Sequence, residues 1–285
     1  MTNPKVCVLV LNWNGARDTL ECLKSLEAVT YPDAEIVVID NGSDDDSVER
    51  IQQAYPETEL LQLPHNLFFG GGNNAGLEWA RGRGFDYIIF LNNDTTVEPG
   101  FIEPLLATFA NDQDVGMAAP LMCYSAHPDQ VWYGGGLVNL WTGVVAHKHI
   151  RESTSQVSLA TRNTDYITGC CLMVPNDLAF QLNGFDSAFQ MYGEDVDLSL
   201  RCRKAGFQLA FVPQSKIYHK VSASVGGEFG LSKLKRKLRG ILQLYVRHAR
   251  WYQWGTILIS QAFMSLMYLI TYLKHRSSAG TNHSS

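Results

Sequence analysis

The sequence lacks several features that would point to common functional classes. Charged residues make up only 18% of its 285 residues and the net charge is −5, so no excess of lysine and arginine predicts a nucleic-acid partner. None of its six cysteines forms a C-x-x-C pair or another spacing typical of a metal site, which predicts reduced core cysteines in a cytosolic protein. The first apolar stretch meets Asn12 after about six residues and is too short for a signal peptide.

Apolar residues are plentiful, at 46% of the chain, and they recur in short runs. The strands predicted from these runs are 6–11, 35–40, 60–63 and 87–91, and a helical pattern separates each from the next. Strands that alternate with helices favour a parallel sheet with right-handed crossovers. The sequence therefore predicts an α/β fold with a mostly parallel central sheet flanked by helices.

Polar side chains follow each of these runs. Asn12, Asp40, Asn66 and Asp94 come at or just after the strand ends, where an open parallel sheet binds its ligands. Asparagine and aspartate suit a ribose, a base and a metal-bound diphosphate. The alternative is that they are ordinary turn and helix-capping residues of polar loops.

The glycine-rich segment at Gly70, Gly72 and Ala75 imitates a dinucleotide-binding fingerprint, with a helix predicted from about residue 73 to 81. It follows the third predicted strand rather than the first, and no acidic residue ends the next strand, where Asn92 and Asn93 come first. We therefore expect these glycines to let the chain pass close to a ligand. A nicotinamide site is the alternative.

Asp94 is a candidate metal ligand, because a hard divalent ion takes one or two carboxylates together with phosphate oxygens. His219, placed after a last strand predicted at 207–212, would complete that site or contact the diphosphate. A loop histidine without a role is the alternative. Between these segments, residues 122–164 predict irregular β-hairpins with exposed aromatic residues, among them Trp132, Tyr133 and Trp141.

Glu194 and Asp195 open a predicted helix that ends before Gly206. Carboxylates are common in a first helical turn because they favour the positive end of the helix dipole. Asp197 already fills that role and has Arg201 four residues on for a pair. One of the two further acids is therefore a candidate general base beside a sugar acceptor.

Taken together, these motifs resemble glycosyltransferase family 2, inverting enzymes with a GT-A fold, and especially the rhamnosyltransferase-like branch for bacterial surface polysaccharides. The resemblance covers about residues 6–224. The segments that carry it are Leu11-Asn12-Trp13-Asn14-Gly15, Ile39-Asp40-Asn41-Gly42-Ser43, Asn66 to Gly76, Leu91-Asn92-Asn93-Asp94, Thr168-Gly169-Cys170-Cys171, Gly193-Glu194-Asp195-Val196-Asp197-Leu198 and His219.

The resemblance implies roles for individual residues. Asp195 is the catalytic base with Glu194 in support, and Asp94 and His219 form the site of a divalent cation, Mg²⁺ or Mn²⁺. Asn92 stands where the family's Asp-x-Asp motif has its first aspartate, so one formal charge is missing. The nucleotide-sugar ligands, with Asp40 at the base, are Asn12, Asn14, Asp40, Asn41, Ser43, Asn66, Gly72, Asn73, Asn74, Asn92 and Asn93.

The C-terminal part predicts contact with a membrane. Basic residues dominate residues 216–250, and no charge occurs from 251 to 273. As a helix rising about 1.5 Å per residue, this second stretch could span a hydrocarbon core of about 30 Å or lie in the interface. A helix packed on the globular domain is the alternative.

We interpret the chain as a GT-A domain at 1–225, with a nucleotide-binding part at about 1–120 and an acceptor part at about 121–225, followed by a membrane-associating helical region at 226–285. The expected donor is a dTDP or UDP sugar, and the expected acceptor is a glycan or a lipid-linked glycan at the inner face of the cell membrane. Two alternatives stay open, a nicotinamide-dependent oxidoreductase and a catalytically idle sugar-nucleotide-binding scaffold.

Overall fold

The computed structural model describes residues 3–189, 192–221 and 231–280, without the side chains of 231–234 and 268–280. The strands are β1 (Val6–Asn12), β2 (Ala34–Asp40), β3 (Glu59–Gln62), β4 (Tyr87–Asn92), β5 (Thr95–Val97), β6 (Val115–Tyr124), β7 (His127–Tyr133), β8 (Gly136–Asn139), β9 (Val144–His147), β10 (Arg162–Asn163), β11 (Cys171–Pro175) and β12 (Gln208–His219). The α-helices are α1 (Ala16–Leu26), α2 (Ser47–Ala54), α3 (Phe68–Ala80), α4 (Ile102–Asn111), α5 (Asn176–Gln181), α6 (Glu194–Lys204), α7 (Leu231–His248) and α8 (Trp254–Gly280).

One central sheet carries the fold, in the order β10-β12-β6-β11-β4-β1-β2-β3, with β5 paired to β12 and β7 to β6. Strands β4, β1, β2 and β3 pair in parallel, as predicted from their continuous apolar runs. The other half of the sheet is mixed, because β11 runs antiparallel to both of its neighbours. The predicted α/β sheet flanked by helices is confirmed, and its parallel part is the N-terminal half.

The direction of the strands fixes which residues share an edge. Since β11 is antiparallel to β4 and to β6, these two run the same way, and β12 is parallel to β6. The carboxyl ends of β1, β2, β4 and β12 therefore lie at the same edge of the sheet. In register, Asn12 lies opposite Asp40, Leu11 opposite Asn92, and His219 opposite Thr95.

Helix α3 begins at Phe68, five residues before the predicted start, so Gly70 and Gly72 lie inside a helix rather than in a loop. A Cβ on Gly76 would lie 2.2 Å from Ile39 Cδ1, and one on Gly72 would lie 2.6 Å from Leu11 Cδ1. The glycines thus let α3 approach the sheet. The segment that imitates a dinucleotide-binding loop is therefore helical from Phe68 onward. That these glycines also bring the chain close to a ligand stays a prediction.

Two predicted boundaries and one predicted exposure in the second half are also wrong. Strand β12 does not stop at Val212 but continues to His219, because a shift in its register with β6 between Val212 and Lys216 accommodates Pro213. The strand predicted over 165–174 is confined to β11, and the residues before it form the loop that carries Thr168. Tyr133 is not an exposed aromatic residue but fully buried, and its hydroxyl donates to the Tyr166 carbonyl at 2.7 Å.

The core lies on both faces of the sheet. All six cysteines are free and buried, as predicted. At the C-terminal end, α7 packs beside α6, and the Tyr245 hydroxyl donates to the Gly143 carbonyl in the turn between β8 and β9. Over the described ranges, none of the helices combines the length and the apolar character that crossing a membrane requires.

Candidate functional site

Asp94 and His219 meet at the carboxyl edge of the sheet. Asp94 lies in the two-residue connection between β4 and β5, and His219 ends β12, which pairs with β5. This pairing places Asp94 Oδ1 3.1 Å from His219 Nε2, with both side chains buried. The two residues that were predicted to share a metal site are therefore adjacent, although 125 positions separate them in the sequence.

Aromatic rings hold His219 in place. Its imidazole lies edge-to-face against Trp132 with ring centroids 4.2 Å apart, and Trp132 packs in the same way on His147 at 4.6 Å. His147 Nδ1 lies 3.2 Å from the Trp132 carbonyl oxygen. Burial lowers the pKa of His147 to about 4, so this imidazole is neutral near pH 7 and Nδ1 carries the hydrogen that the carbonyl accepts.

Glu194 and Asp195 form the first turn of α6. Asp195 accepts hydrogen bonds from two backbone amides, Gly169 N–H on Oδ2 at 3.0 Å and Val196 N–H on Oδ1 at 2.8 Å. The Glu194 side chain is buried, and its Oε2 has no hydrogen-bond partner among the residues described. Burial raises the pKa of both carboxyl groups, and for Glu194 the adjacent charge of Asp195 raises it further.

A single cavity of about 600 Å³ connects the two pairs of residues. Its walls include the predicted residues Asn92, Asp94, Glu194, Asp195 and His219. Ligand-binding cavities usually measure about 300–1,000 Å³. The cavity therefore has the volume for a substrate, with a carboxylate–imidazole pair on one side and a carboxyl pair on the other.

The cavity is also lined by residues that were not predicted from the sequence. Residues without a predicted role in the site are Phe69, Trp132, Val145, Ala146, His147, Tyr166, Thr168, Tyr192, Val221, Lys237, Ile241 and Leu244. Thr168 belongs to a recognised motif, but no local signal marks His147 or the three residues of α7. They reach the cavity through the β8–β9 hairpin and through helix packing, which a short sequence window does not reveal.

Polar residues at the ends of β1 and β2, together with Ser43, form a hydrogen-bonded network at the same edge of the sheet. Asn12 is fully buried, and its side chain donates to Asp40 at 2.7 Å and to Ser43 at 3.2 Å. Asp40 also accepts from the Ser43 hydroxyl at 2.6 Å and from the Ser43 backbone amide at 3.0 Å. These side chains fix the shape of the two loops, since a satisfied buried polar network specifies one conformation.

Other predicted nucleotide ligands also make contacts within the protein. The Asn41 side chain donates to Asn66 at 3.1 Å, and Asn14 donates to Asp44 at 2.6 Å. Asn93 donates to the Thr19 hydroxyl at 2.9 Å. Their contacts tie neighbouring loops together around the carboxyl edge of the sheet.

On α3, the side-chain amide of Asn74 is fully hydrogen-bonded within the protein, whereas that of Asn73 is only partly so. Both groups of the Asn74 amide bond the Phe185 backbone, at 2.8 Å and 2.7 Å. The Asn73 amide donates to the Phe69 carbonyl, while its buried Oδ1 is without a partner in the part of the chain described. Gly72 is the remaining predicted ligand on this helix. A Cβ built on it would lie 3.1 Å from the Asn41 side chain.

A divalent cation fits the donor set at Asp94 and His219. No cluster of three or more His, Cys, Asp or Glu side chains arranged for a metal occurs within 3–189, 192–221 and 231–280. A buried carboxylate and an imidazole 3.1 Å apart on the cavity wall supply two protein ligands. Mg²⁺ and Mn²⁺ sites that act on phosphates commonly take only one or two protein ligands and complete their shell with phosphate oxygens and water.

Comparison with known proteins identifies a matching family and similar proteins. The family model described as Glycosyl transferase family 2 matches residues 7–178. The N-acetylglucosaminyl-diphospho-decaprenol L-rhamnosyltransferase of Mycobacterium tuberculosis (strain CDC 1551 / Oshkosh) is 27% identical over 262 residues, which is 81% of this chain and 81% of the relative. The O-antigen biosynthesis protein RfbC of Myxococcus xanthus is 28% identical over 78% of this chain and 18% of its own length.

Solved structures share the fold. GalNAc-T7 with UDP, GalNAc and Mn²⁺ superposes with a TM-score of 0.63 at 18% identity, over 76% of this chain and 44% of that one. The mannosyltransferase PcManGT of Pyrobaculum calidifontis, in complex with GDP-Man and Mn²⁺, gives 0.61 at 15% identity, over 92% and 70%. The mixed sheet flanked by helices is therefore the fold of GT-A glycosyltransferases.

Proposed function

The chain belongs to glycosyltransferase family 2, and from this premise we propose that it transfers a sugar from a dTDP or UDP sugar to a hydroxyl of a glycan or lipid-linked acceptor, with inversion at the anomeric carbon. The observation that carries the proposal is the single cavity shared by Asp94, His219, Glu194 and Asp195. Groups suited to a diphosphate and groups suited to a proton transfer face one space. Such an arrangement serves group transfer between two bound substrates.

The proposed reaction has one displacement step. Asp195 accepts the proton of the acceptor hydroxyl, and that oxygen forms a bond to the anomeric carbon from the side opposite the diphosphate. The bond from the anomeric carbon to the diphosphate oxygen breaks, and the electron pair leaves with the nucleoside diphosphate. A divalent cation held by Asp94 and His219 would neutralise the charge of that leaving group.

The residues after β1, β2 and β3 are proposed to hold the nucleotide. Because Asn12, Asp40 and Ser43 bond one another, their loops need little reorganisation when a ligand binds. Asn14 and Asn66 lie nearer the surface of the same edge, and Asn92 reaches the cavity itself. This arrangement supports a nucleotide site that is formed before the donor arrives.

We propose rhamnose as the sugar that is transferred. The product would be a bacterial surface polysaccharide. The support is the relative named as a rhamnosyltransferase, together with the relative named as an O-antigen biosynthesis protein. The acceptor of the first relative is lipid-linked by its name, and a lipid-linked acceptor is accordingly proposed here.

The C-terminal helices are proposed to meet the inner face of the cell membrane. On α7, Leu238, Leu242 and Val246 form an exposed apolar stripe at helical spacing, and the exposed cations Lys235 and Arg239 flank it. A helix with an apolar face beside basic residues binds anionic lipid surfaces. A different face of α7 contributes Lys237, Ile241 and Leu244 to the cavity.

Asp195→Asn tests the proposal, because it keeps the size of the side chain and removes proton acceptance. Turnover should fall by about 10²–10⁴ while donor affinity stays unchanged. The assay is release of dTDP or UDP from the nucleotide sugar in the presence of acceptor, with donor affinity measured by calorimetry. Asp114→Asn, at an exposed position before β6 and so at the opposite edge of the sheet, is the matched control.

Three outcomes separate the alternatives. Donor binding without turnover in the unmodified chain would favour the idle scaffold. Binding of NADH in place of a nucleotide sugar would favour the oxidoreductase. Full activity of Asp195→Asn would remove Asp195 from the role of base.

A further inference from the structure

Two carboxyl groups share the first turn of α6, yet their surroundings differ. Tyr192 and Gly193 both have left-handed backbone conformations, with φ of 72° and 99°, and this turn directs the chain into the helix at Glu194. A non-glycine residue in that conformation is uncommon, and such strain concentrates at functional sites. The chain therefore accepts local strain where Glu194 enters the cavity wall.

Asp195 is surrounded by donors that favour its ionised form. The backbone amides of Gly169 and Val196 and the hydroxyl of Thr168 all donate to it. Hydrogen bonds donated to a carboxylate stabilise the negative charge. When the pair carries one proton, these donors favour the charge on Asp195.

Glu194 has the opposite surroundings. Its side chain is buried, its Oε2 is without a partner in the described structure, and the hydrogen bond that favours its charge comes from its own backbone amide. Among the ion pairs of the described residues, none involves the carboxyl group of Glu194 or of Asp195. A second negative charge next to Asp195 would therefore be costly, and the proton of the pair favours Glu194.

The other charged or titratable groups that line the cavity do not change this assignment. Asp94 adds negative charge from the β4–β5 connection, whereas Lys237 on α7 is the cation that lines the wall. His147 is neutral near pH 7, as its lowered pKa requires. Burial raises the pKa of Cys170, Tyr166 and Tyr192, so all three stay protonated. The Nε2 atom of His219 faces the Asp94 carboxylate.

We infer that Glu194 takes part in the reaction as a neutral carboxylic acid, which donates a hydrogen bond from its unpartnered carboxyl oxygen to an oxygen of the acceptor sugar while Asp195 remains the base. This inference rests on the proposed function. No bond to Glu194 is made or broken, and its proton stays on the residue throughout. The role is to position the acceptor and to keep Asp195 as the only ionised member of the pair.

The raised pKa of Glu194 agrees with this role and gives it a pH dependence. The active form holds the proton, so activity should fall as pH rises through the raised pKa of the folded protein. A glutamine at 194 supplies an N–H donor of the same shape and does not ionise. This alkaline loss should therefore be absent from Glu194→Gln.

The first test compares three variants with the donor and acceptor pair that the unmodified chain turns over. Glu194→Gln should keep kcat/KM within about tenfold, since it retains a neutral donor. Glu194→Ala should lose about 10- to 100-fold, mainly through the KM of the acceptor, because one hydrogen bond is lost. Asp195→Asn should lose about 10²–10⁴, mainly in kcat. A loss in Glu194→Gln as large as in Asp195→Asn would overturn the inference.

The second test needs no turnover, so it can fail independently of the proposed function. In urea unfolding, a proton retained on buried Glu194 stabilises the folded chain fully below the ordinary glutamate pKa, and this contribution is lost as pH rises through the raised folded value. The stability of the unmodified chain relative to Glu194→Gln should thus decrease over that window. A difference that stays constant from pH 5 to pH 9 would mean that Glu194 is ionised in the folded protein, against the inference. Absence of transfer in the unmodified chain would count against the proposed function alone.

Discussion

Asp197 is a buried carboxylate that joins two helices around the cavity, and its removal should loosen one wall. The side chain is 1% exposed. Oδ2 accepts from Arg201 Nε within α6 at 2.7 Å, and Oδ1 lies 2.8 Å from His248 Nε2 at the end of α7. Arg247 Nη1 lies 3.7 Å from the same Oδ1. Asp197→Asn keeps the shape of the side chain and takes its negative charge away from all three partners.

The expected cost follows from burial. Breaking a buried ion pair by removing one partner costs about 3–5 kcal/mol. The Arg201 and His248 side chains keep 25% and 14% exposure, so we expect the lower end, about 3 kcal/mol. For a chain of this size that corresponds to a Tm lower by about 6–12 °C. Arg50→Ala removes an exposed pair with Asp46 and, as the control, should change the free energy of unfolding by less than about 0.5 kcal/mol.

The pH dependence has a defined sign. Burial acts to raise the pKa of Asp197, but the hydrogen bonds from His248 and Arg201 outweigh it, so the pKa lies below its usual range. The stabilisation is therefore present above the ordinary aspartate pKa and is lost as pH falls through the lowered folded value. Urea unfolding followed by tryptophan fluorescence measures the difference at neutral and acidic pH. Equal stability of Asp197→Asn and the Arg50→Ala control at neutral pH would refute the reasoning.

Three further predictions concern other parts of the molecule. Asp94→Ala should weaken donor binding in calorimetry only when Mg²⁺ or Mn²⁺ is present, and equal weakening with a chelator would assign Asp94 a structural role. Gly76→Ala should cost about 1–3 kcal/mol in urea unfolding, because the new Cβ overlaps Ile39, whereas Gly255→Ala in α8 meets no atom within 4 Å and should be neutral or stabilising. Leu242→Glu should reduce sedimentation of the protein with vesicles of anionic lipid, and high salt should weaken the binding of the unmodified chain without abolishing it. Leu159→Glu makes the same change at an exposed leucine outside α7 and should leave sedimentation unchanged.

The strand ends were the part of the site that the sequence could predict. Buried parallel strands have continuous apolar runs, and the polar residue that ends each run is visible in a short window. Asn12 and Asp40 consequently occupy the predicted edge, in register with each other. Asp94 follows the same rule, because the apolar run before it is strand β4.

Contacts that depend on distant parts of the chain could not be predicted in this way. His219 was expected beyond a last strand that ended at residue 212, yet a register shift near Pro213 carries β12 on to His219. The glycines of α3 have low helix propensity, but close packing against Leu11 and Ile39 outweighs it. His147 and Lys237 reach the cavity from elements whose positions only the tertiary structure fixes.

A residue type in a sequence also does not say whether its hydrogen bonds are used within the protein. Asn12 and Asn74 are of a residue type that often binds ligands. The Asn12 side-chain amide instead donates to Asp40, and that of Asn74 donates to the Phe185 carbonyl. Buried polar atoms of folded proteins nearly always have partners, so an exception needs a reason. Within the described residues, Glu194 Oε2 and His219 Nδ1 are such exceptions, and both residues line the cavity. Unsatisfied atoms beside one cavity are what a site built for a polar ligand should leave, and this physical signal separates Glu194 from the many acidic residues that only begin a helix.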